Sequence, residues 1–172
     1  MTARSTVAAA QSVPEAAAAP VLSVRDLKTA FNTTRGWVEI VKGISFDIGA
    51  RETVAVVGES GSGKSVTALS IMRLLDPAMS RVEGSIRLAG RELLQLTPGE
   101  MRTIRGRQMG MIFQEAMTSL NPLQTIGQQI AEVLTIHGLH SGQAAYKEAE
   151  RLLERVRIPG AASRLKDYPH AL

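Results

Sequence analysis

Hydrophobic and polar residues alternate along the first part of the chain. β-Branched residues in near alternation over residues 21–27 and 38–48 predict two strands. The polar cluster at residues 32–36 separates them, so the pattern predicts an antiparallel, hairpin-like pair. A further short strand is predicted at residues 85–88, followed by a turn at Ala89-Gly90. This region is therefore predicted to form a β-rich layer.

Two continuous apolar runs have a different pattern. The run at residues 53–57 is followed by Gly58, and the run at residues 109–113 ends in Phe113; such runs are typical of strands buried on both faces of a parallel sheet. Two helices are predicted between them. One covers the periodic stretch 66–75 before Pro77, and the other opens at Thr97 to Glu100 with a capping box. The order strand, glycine loop, helix predicts the beginning of an α/β core.

No strand-like run occurs from residue 125 onward, and two amphipathic helices are predicted instead. Thr125 and Gln128 cap the first helix, and Ser141 is expected to cap the second. The predicted apolar faces consist of Ile126, Ile130, Val133 and Leu134 on the first helix, and Ala145, Ala149, Leu152, Leu153 and Val156 on the second. The fold class is therefore α/β with a helical subdomain.

Composition narrows the class of protein. The 172 residues suit one domain, and the absence of cysteine excludes a disulfide scaffold. The longest apolar runs are far shorter than the ~20 residues of a membrane helix. Aromatic residues make up 3% of the chain and the net charge is +4, which argues against a nucleic-acid binder of the stacking type. Residues 1–20 are rich in Ala, Ser and Thr, and we expect a disordered leader there.

Residues 58–65 read Gly-Glu-Ser-Gly-Ser-Gly-Lys-Ser and satisfy the phosphate-loop pattern. Its glycines allow backbone N–H groups to turn inward around a phosphate, and the following helix presents its positive end to the same anion. Lys64 is expected to reach the β- and γ-phosphates, and the Ser65 hydroxyl to coordinate Mg²⁺. The pattern alone predicts a nucleoside triphosphate. The predicted nucleotide-binding residues here are Gly58, Ser60, Gly61, Ser62, Gly63, Lys64, Ser65 and Val66.

Two segments carry a family resemblance. The loop sequence GESGSGKS continues as VTALS, and residues 111–122 read MIFQEAMTSLNP. Together they resemble the ATP-binding subunits of ABC importers for oligopeptides, dipeptides and glutathione, and the resemblance covers nearly all of residues 21–172. Val66 stands where threonine is commoner in the broad ABC group, so it can offer only its backbone N–H to the α-phosphate. Ala116 stands where the peptide-importer branch commonly has proline.

The resemblance implies a P-loop NTPase of the ABC type, with an antiparallel β layer, a partial parallel α/β core and a helical subdomain. It divides the chain into a β layer with phosphate-loop core at 21–113, a Q-loop at 114–124 and a helical subdomain at 125–172. In such a protein the amide oxygen of Gln114 reaches Mg²⁺ and the attacking water. An aromatic residue stacks on adenine, and by its position Phe31 is the candidate, with Trp37 as the alternative.

Residues 109–115 allow a second interpretation. The run resembles a Walker B strand in which Gln114 replaces the metal-binding aspartate, and Glu115 would then be the catalytic base. A Walker B strand is expected to keep the aspartate that holds Mg²⁺. The residues that follow, up to Pro122, fit the Q-loop. We therefore favour the Q-loop role for Gln114 and expect Glu115 to be a solvated acid.

The resemblance also implies cofactors, partners and location. It implies MgATP bound between two head-to-tail ATPase subunits that drive transmembrane permease subunits, with a periplasmic or extracellular solute-binding protein acting indirectly and no nucleic acid. The expected location is the cytoplasmic face of the inner (plasma) membrane, as a peripheral protein. The signature motif, the Walker B strand and the switch histidine are not found, so we expect an N-terminal portion that binds ATP without hydrolysing it.

Other classes remain as alternatives. A DNA-repair type ABC ATPase shares the phosphate loop, but such chains carry a large insertion around the helical region. Residues 114–172 are too few to contain one. A small GTPase needs an Asn-Lys-x-Asp motif, and none occurs. A non-catalytic nucleotide-binding remnant is the third alternative. Saturable MgATP binding without turnover favours that one.

Overall fold

The computed structural model of the protein describes residues 19–114 and 119–171. The chain divides into two units, the first ending at Met101 and the second beginning at Arg102, and each is described by itself. Almost all of the predicted leader, residues 1–18, lies outside the described residues, as does Glu115.

The first unit contains four strands, β1 Leu22–Thr33, β2 Gly36–Ile48, β3 Ser80–Leu88 and β4 Arg91–Glu92. They form an antiparallel sheet in the order β2-β1-β3-β4. Thr33 pairs with Gly36 across the hairpin turn, and Leu22 pairs with both Ile48 and Leu88 at the opposite end of β1. The predicted antiparallel layer is confirmed, with longer strands than the sequence pattern indicates.

An irregularity in β1 changes which side chains face the core. The pairing shifts between Val24 and Leu27 on the β2 side, and Asp26 has a φ of 44°. Side chains of a regular strand alternate between faces, so residues three apart would point to opposite sides. The extra residue in the bulge lets both Val24 and Leu27 be fully buried.

Helix α1, Lys64–Ile71, begins at the end of the phosphate loop. Its buried residues are Thr67 and Ser70, so the side of this helix that faces the protein interior carries hydroxyl groups. Ser70 is in hydrogen-bond contact with Thr29 of β1, with 2.8 Å between the two side-chain oxygens. The helix is thereby attached to the sheet through a buried polar contact.

Glu92 of β4 anchors the end of the sheet. Its carboxylate accepts hydrogen bonds from the Ile86 N–H at 2.9 Å, from the Leu94 N–H at 3.2 Å and from the Ser85 hydroxyl. Burial by itself raises the pKa of Glu92, but these hydrogen bonds outweigh it, so the net effect lowers the pKa. Glu92 is therefore held as a carboxylate at neutral pH.

Capping boxes begin two helices, as the sequence predicts. At α2, Pro98–Ile104, the Glu100 carboxylate accepts from the Thr97 N–H at 2.8 Å. At α3, Ile126–Ile136, the Gln128 side chain accepts from the Thr125 N–H at 2.8 Å, and Thr125 Oγ1 accepts from the Gln128 N–H. Both interactions satisfy N–H groups that a helix start leaves without partners.

The second unit is helical, and the prediction of a helical region from residue 125 onward is confirmed. After α3 it contains α4 Gly142–Arg155, α5 Ala161–Arg164 and a 3₁₀ turn Pro169–Ala171. Its apolar clusters are built on Ile126, Leu153 and Ala161, and on Ala131, Leu134 and Ala145.

The helix predictions are wrong at two residues and only partly confirmed at a third. Ser141 occupies the N-cap position of α4, as predicted, but its side chain makes no capping hydrogen bond. Val133 and Val156 are exposed instead of contributing to the apolar faces. Val156 is the residue that follows the last turn of α4, so the helical periodicity no longer directs its side chain to the core. Val133 lies within α3 but outside the face that packs in the core.

The two buried strands predicted from continuous apolar runs are also wrong for the described residues. Residues 53–57 and 109–113 form no strand, although Met109 makes an isolated parallel bridge with Arg105. Val57 is 65% exposed and Ile112 is 93% exposed. A strand needs a partner for its backbone groups, and no described strand pairs with either segment. Apolar composition indicates a preference for a buried sheet but does not supply the neighbouring strand.

Candidate nucleotide-binding site

The glycines of the phosphate loop allow a backbone path that other residues resist. Gly61 has a φ of +80°, and Gly63, the residue that caps α1, has a φ of +93°. Gly63 is also close to β2, since a Cβ atom there would lie 3.3 Å from the carbonyl oxygen of Ile40. Both the left-handed conformation and the close approach to β2 therefore favour glycine at position 63.

The start of α1 offers backbone donors to an anion. The Thr67 N–H donates to the Gly63 carbonyl at 2.8 Å and so begins the helical ladder. The geometry of a helix leaves the preceding N–H groups, those of Lys64 to Val66, without an acceptor inside the helix. No acidic residue lies in the first turn of α1 to compete for them. This helix end is therefore suited to a phosphate group.

Lys64 folds back over the loop. Its ammonium nitrogen donates to the carbonyl oxygens of Gly58 at 2.6 Å and Glu59 at 2.7 Å, with the Ser62 hydroxyl at 3.4 Å. The two carbonyl contacts hold the positive charge beside the loop. The longer contact to Ser62 is the weakest of the three, so it is the one that a phosphate oxygen can replace at the least cost.

A magnesium ion fits Ser65. Its side chain is exposed at the first turn of α1, next to the backbone donors. Mg²⁺ commonly takes one or two protein ligands and completes its shell with phosphate oxygens and water, so a lone hydroxyl suffices. Among the described residues no group of three or more His, Cys, Asp or Glu could hold a metal. When bound with a nucleotide, the ion would neutralise charge on the phosphates.

The two candidate aromatic residues lie on opposite faces of the sheet. Phe31 is half-buried and two residues from Thr29, so it shares the face of β1 that contacts α1. Trp37 pairs with Asn32 and therefore lies on the other face. There the guanidinium carbon of Arg81 is 4.0 Å from the centroid of the Trp37 ring, a cation–π contact. The structure brings Phe31, and not Trp37, to the side of α1.

Gln114 lies in the second unit and is exposed. It follows residues 110–113, which form no strand, so its predicted place at the end of a buried strand is not observed. The catalytic alternative Glu115 falls outside the described residues. The role of Gln114 stays a prediction from the resemblance.

The sequence patterns do not predict one side-chain contact near the site. The hydrogen bond between Thr29 and Ser70 joins residues 41 positions apart. A hydroxyl residue at a position that the hydrophobic pattern predicts to be buried is the sequence feature that could have indicated this contact. Pairing the two needed the sheet and the helix in place.

Comparison with known proteins places the chain in a family. Residues 41–172 match the ABC transporter family, so the chain belongs to it. It is 49% identical over 151 residues to the dipeptide transport ATP-binding protein DppD of Bacillus subtilis (strain 168), and this match covers 87% of this chain and 45% of that protein. It is 45% identical over 150 residues to the oligopeptide transport ATP-binding protein OppD of Escherichia coli (strain K12), covering 87% and 44%.

A third relative is the glutathione import ATP-binding protein GsiA of Escherichia coli O1:K1 / APEC, 47% identical over 161 residues, which covers 90% of this chain and 26% of that protein. The chain thus spans less than half the length of these curated relatives. The resemblance found from the two motifs is confirmed.

Solved structures confirm the fold class. The dimeric structure of MJ0796, a bacterial ABC transporter cassette, superposes with a TM-score of 0.74 at 24% identity, covering 88% of this chain and 62% of that one. A second MJ0796 structure, described as a post-hydrolysis state bound to ADP and Pi, gives the same values. In the described part of this chain, no helix is both long enough and apolar enough to cross a bilayer.

Proposed function

We propose that this chain is the nucleotide-binding part of an ATP-binding subunit that powers ABC-type import of peptides, of the oligopeptide, dipeptide or glutathione class. The observation that carries the proposal is the phosphate loop, formed with left-handed glycines and a folded-back Lys64, in a chain 45–49% identical to proteins named for that import. The ligand is MgATP.

Each part of the nucleotide has a proposed partner. Lys64 and the N–H groups of the loop and first helical turn bind the phosphates, and the Ser65 hydroxyl binds Mg²⁺. The face that Phe31 shares with Thr29 supports it as the surface on which adenine stacks. For Gln114, contact with Mg²⁺ and the attacking water rests on the family motif. The boundaries 21–113, 114–124 and 125–172 are likewise proposed from that motif.

We infer that the 172 residues bind ATP without turning it over. Hydrolysis needs a carboxylate that positions or activates the attacking water, beside the aspartate that holds the metal. The sequence contains four aspartates, and none is followed by glutamate. A non-transport ABC ATPase or a non-catalytic nucleotide-binding remnant is the alternative, and the identity to import proteins favours the first proposal over both.

The proposed partners follow from the named relatives. They are transmembrane permease subunits, a second ATPase subunit in a head-to-tail dimer, and indirectly a solute-binding protein, with no nucleic acid. The proposed location is the cytoplasmic face of the plasma membrane. The relatives are named as transport proteins and the MJ0796 cassette as dimeric, which supports this arrangement.

A chimera tests the transport function. Residues 21–171 would replace the matching segment of Bacillus subtilis DppD, and uptake of a labelled dipeptide would be measured in cells lacking DppD. We expect uptake clearly above that of the deletion strain, because the sites for ATP are equivalent. The same chimera carrying Lys64→Ala is the control and should be inactive. A chimera that binds MgATP and assembles with the permease yet transports nothing would argue for the alternatives.

Phe31→Ala tests the adenine site. Loss of stacking should weaken MgATP binding by about tenfold, since base stacking on an aromatic ring is worth about 1–3 kcal/mol. Trp37→Ala is the matched control on the opposite face and should leave the affinity within about twofold. Titration calorimetry on the purified chain measures both. If Trp37→Ala weakened MgATP binding more than Phe31→Ala does, Trp37 would be the residue on which adenine stacks.

A further inference from the structure

The buried hydroxyls of Thr29 and Ser70 form a directed chain of hydrogen bonds. The Ser70 hydroxyl donates to the carbonyl of Val66, one turn earlier, at 2.7 Å. Its single proton is then committed, so in its 2.8 Å contact with Thr29 the serine oxygen accepts and the threonine hydroxyl donates. The chain therefore runs from β1 through Ser70 to the backbone of Val66.

This contact fixes the position of α1 along the sheet. Both side chains are fully buried, and in such surroundings a hydrogen bond tolerates little displacement because the separated groups would stay unpaired. The only other buried residue of α1 is Thr67, whose hydroxyl bonds within the helix to the Gly63 carbonyl at 3.0 Å. Apolar side chains could slide across the sheet with less penalty than this polar contact.

A second contact holds the other end of the helix. A Cβ atom on Gly63 would come within 3.6 Å of the Val41 side chain and within 3.3 Å of the Ile40 carbonyl, so the start of α1 lies directly against β2. Ser70 lies seven residues later, about 10 Å along a helix. Two contacts at that separation define both the position and the direction of α1.

We propose that Thr29 is a positioning residue that sets the distance between the adenine site and the phosphate site. Phe31 lies two residues from Thr29 on the same face of β1, whereas the phosphate donors belong to the helix that Thr29 holds. A shift of α1 along β1 changes the span between ring and loop. The binding affinity of a ligand that occupies both sites depends on that span, whereas the affinity of a ligand that consists of phosphates alone does not. The inference rests on the proposed role of Phe31.

Two ligands separate this role from a merely structural one. The affinity of the purified chain for MgATP and for magnesium tripolyphosphate would be measured by calorimetry for the parent, Thr29→Val and Thr29→Ser. We expect Thr29→Val to weaken MgATP about fivefold to tenfold and tripolyphosphate by less than about twofold. Thr29→Ser keeps the hydroxyl and should restore MgATP binding. Ser70→Ala removes the other partner of the contact and should have the same effect on both affinities. It replaces Thr29→Val in the experiment if Thr29→Val does not fold.

The background variant Phe31→Ala completes the test. Without the ring the span has no consequence, so adding Thr29→Val to Phe31→Ala should change MgATP affinity by less than about twofold. Equal weakening of both ligands by Thr29→Val, or no weakening of MgATP, overturns the inference while leaving the proposed function standing. If the parent chain does not bind MgATP, or Phe31→Ala does not weaken it, the proposed adenine site fails first and the inference with it.

Discussion

Replacing Lys64 by alanine should reduce the affinity of the chain for MgATP about 100-fold or more. The ammonium is the only side-chain cation that contacts the described phosphate loop, where it bonds to the carbonyls of Gly58 and Glu59. Hydrogen bonds to charged groups are worth about 1.5–3 kcal/mol each, and a tenfold change in affinity corresponds to about 1.4 kcal/mol. Loss of one charge-assisted contact from the ammonium to a phosphate oxygen, at the upper end of that range, accounts for the expected effect.

Calorimetry on the purified chain measures this change, and Lys42→Ala is its control. Lys42 is an exposed lysine of β2, so its replacement alters the net charge equally without touching the loop. Its affinity should stay within about twofold of the parent. Retention of parental affinity by Lys64→Ala would contradict the proposed site. Steady ATPase activity of the 172 residues that is lost in Lys64→Ala would contradict the inference of binding without turnover.

Replacing Gly84 by alanine should lower the free energy of unfolding by about 2–5 kcal/mol. Gly84 has a φ of +106°, and a Cβ atom there would lie 2.5 Å from the carbonyl oxygen of Asp26 and 2.6 Å from that of Arg25. Those backbone atoms belong to the bulge of β1, which cannot move without changing the burial of Leu27. Conformational strain and a backbone clash therefore add together.

Urea unfolding measures the loss, with Gly36→Ala as the matched control. Gly36 has a φ of +100°, close to that of Gly84, but a Cβ atom there would meet nothing within 4 Å. Its replacement should cost only the conformational term, about 1–2 kcal/mol. The difference between the two variants isolates the close approach to the bulge. Equal losses would mean that the bulge yields to an added methyl group.

The features that the sequence predicts correctly are those that depend on residues close together along the chain. The phosphate loop and the caps at Thr97 and Thr125 depend on residues only a few positions apart, so their patterns are complete within a short stretch of sequence. The helical second unit follows from apolar periodicity for the same reason. The family resemblance was likewise carried by two short motifs.

The predictions that failed depend on distant partners. Residues 53–57 and 109–113 have the composition of buried strands, but a strand forms only where another strand accepts and donates its backbone hydrogen bonds. No described strand does so for them. Exposed apolar segments of this kind are a hazard for aggregation, and we expect the isolated chain to show it.

The class of ligand follows from the order of amino acids alone, because a phosphate needs only a glycine-rich turn, a lysine and a helix start in immediate succession. Which aromatic residue lies on the side of α1, by contrast, depends on the strand pairing of the folded chain. Phe31 and Trp37 are both plausible by position, and their opposite faces follow from the pairing of β1 with β2. The contact between Thr29 and Ser70 is also tertiary. It exists because folding buries two hydroxyls together, and each then satisfies the hydrogen bond that water can no longer provide.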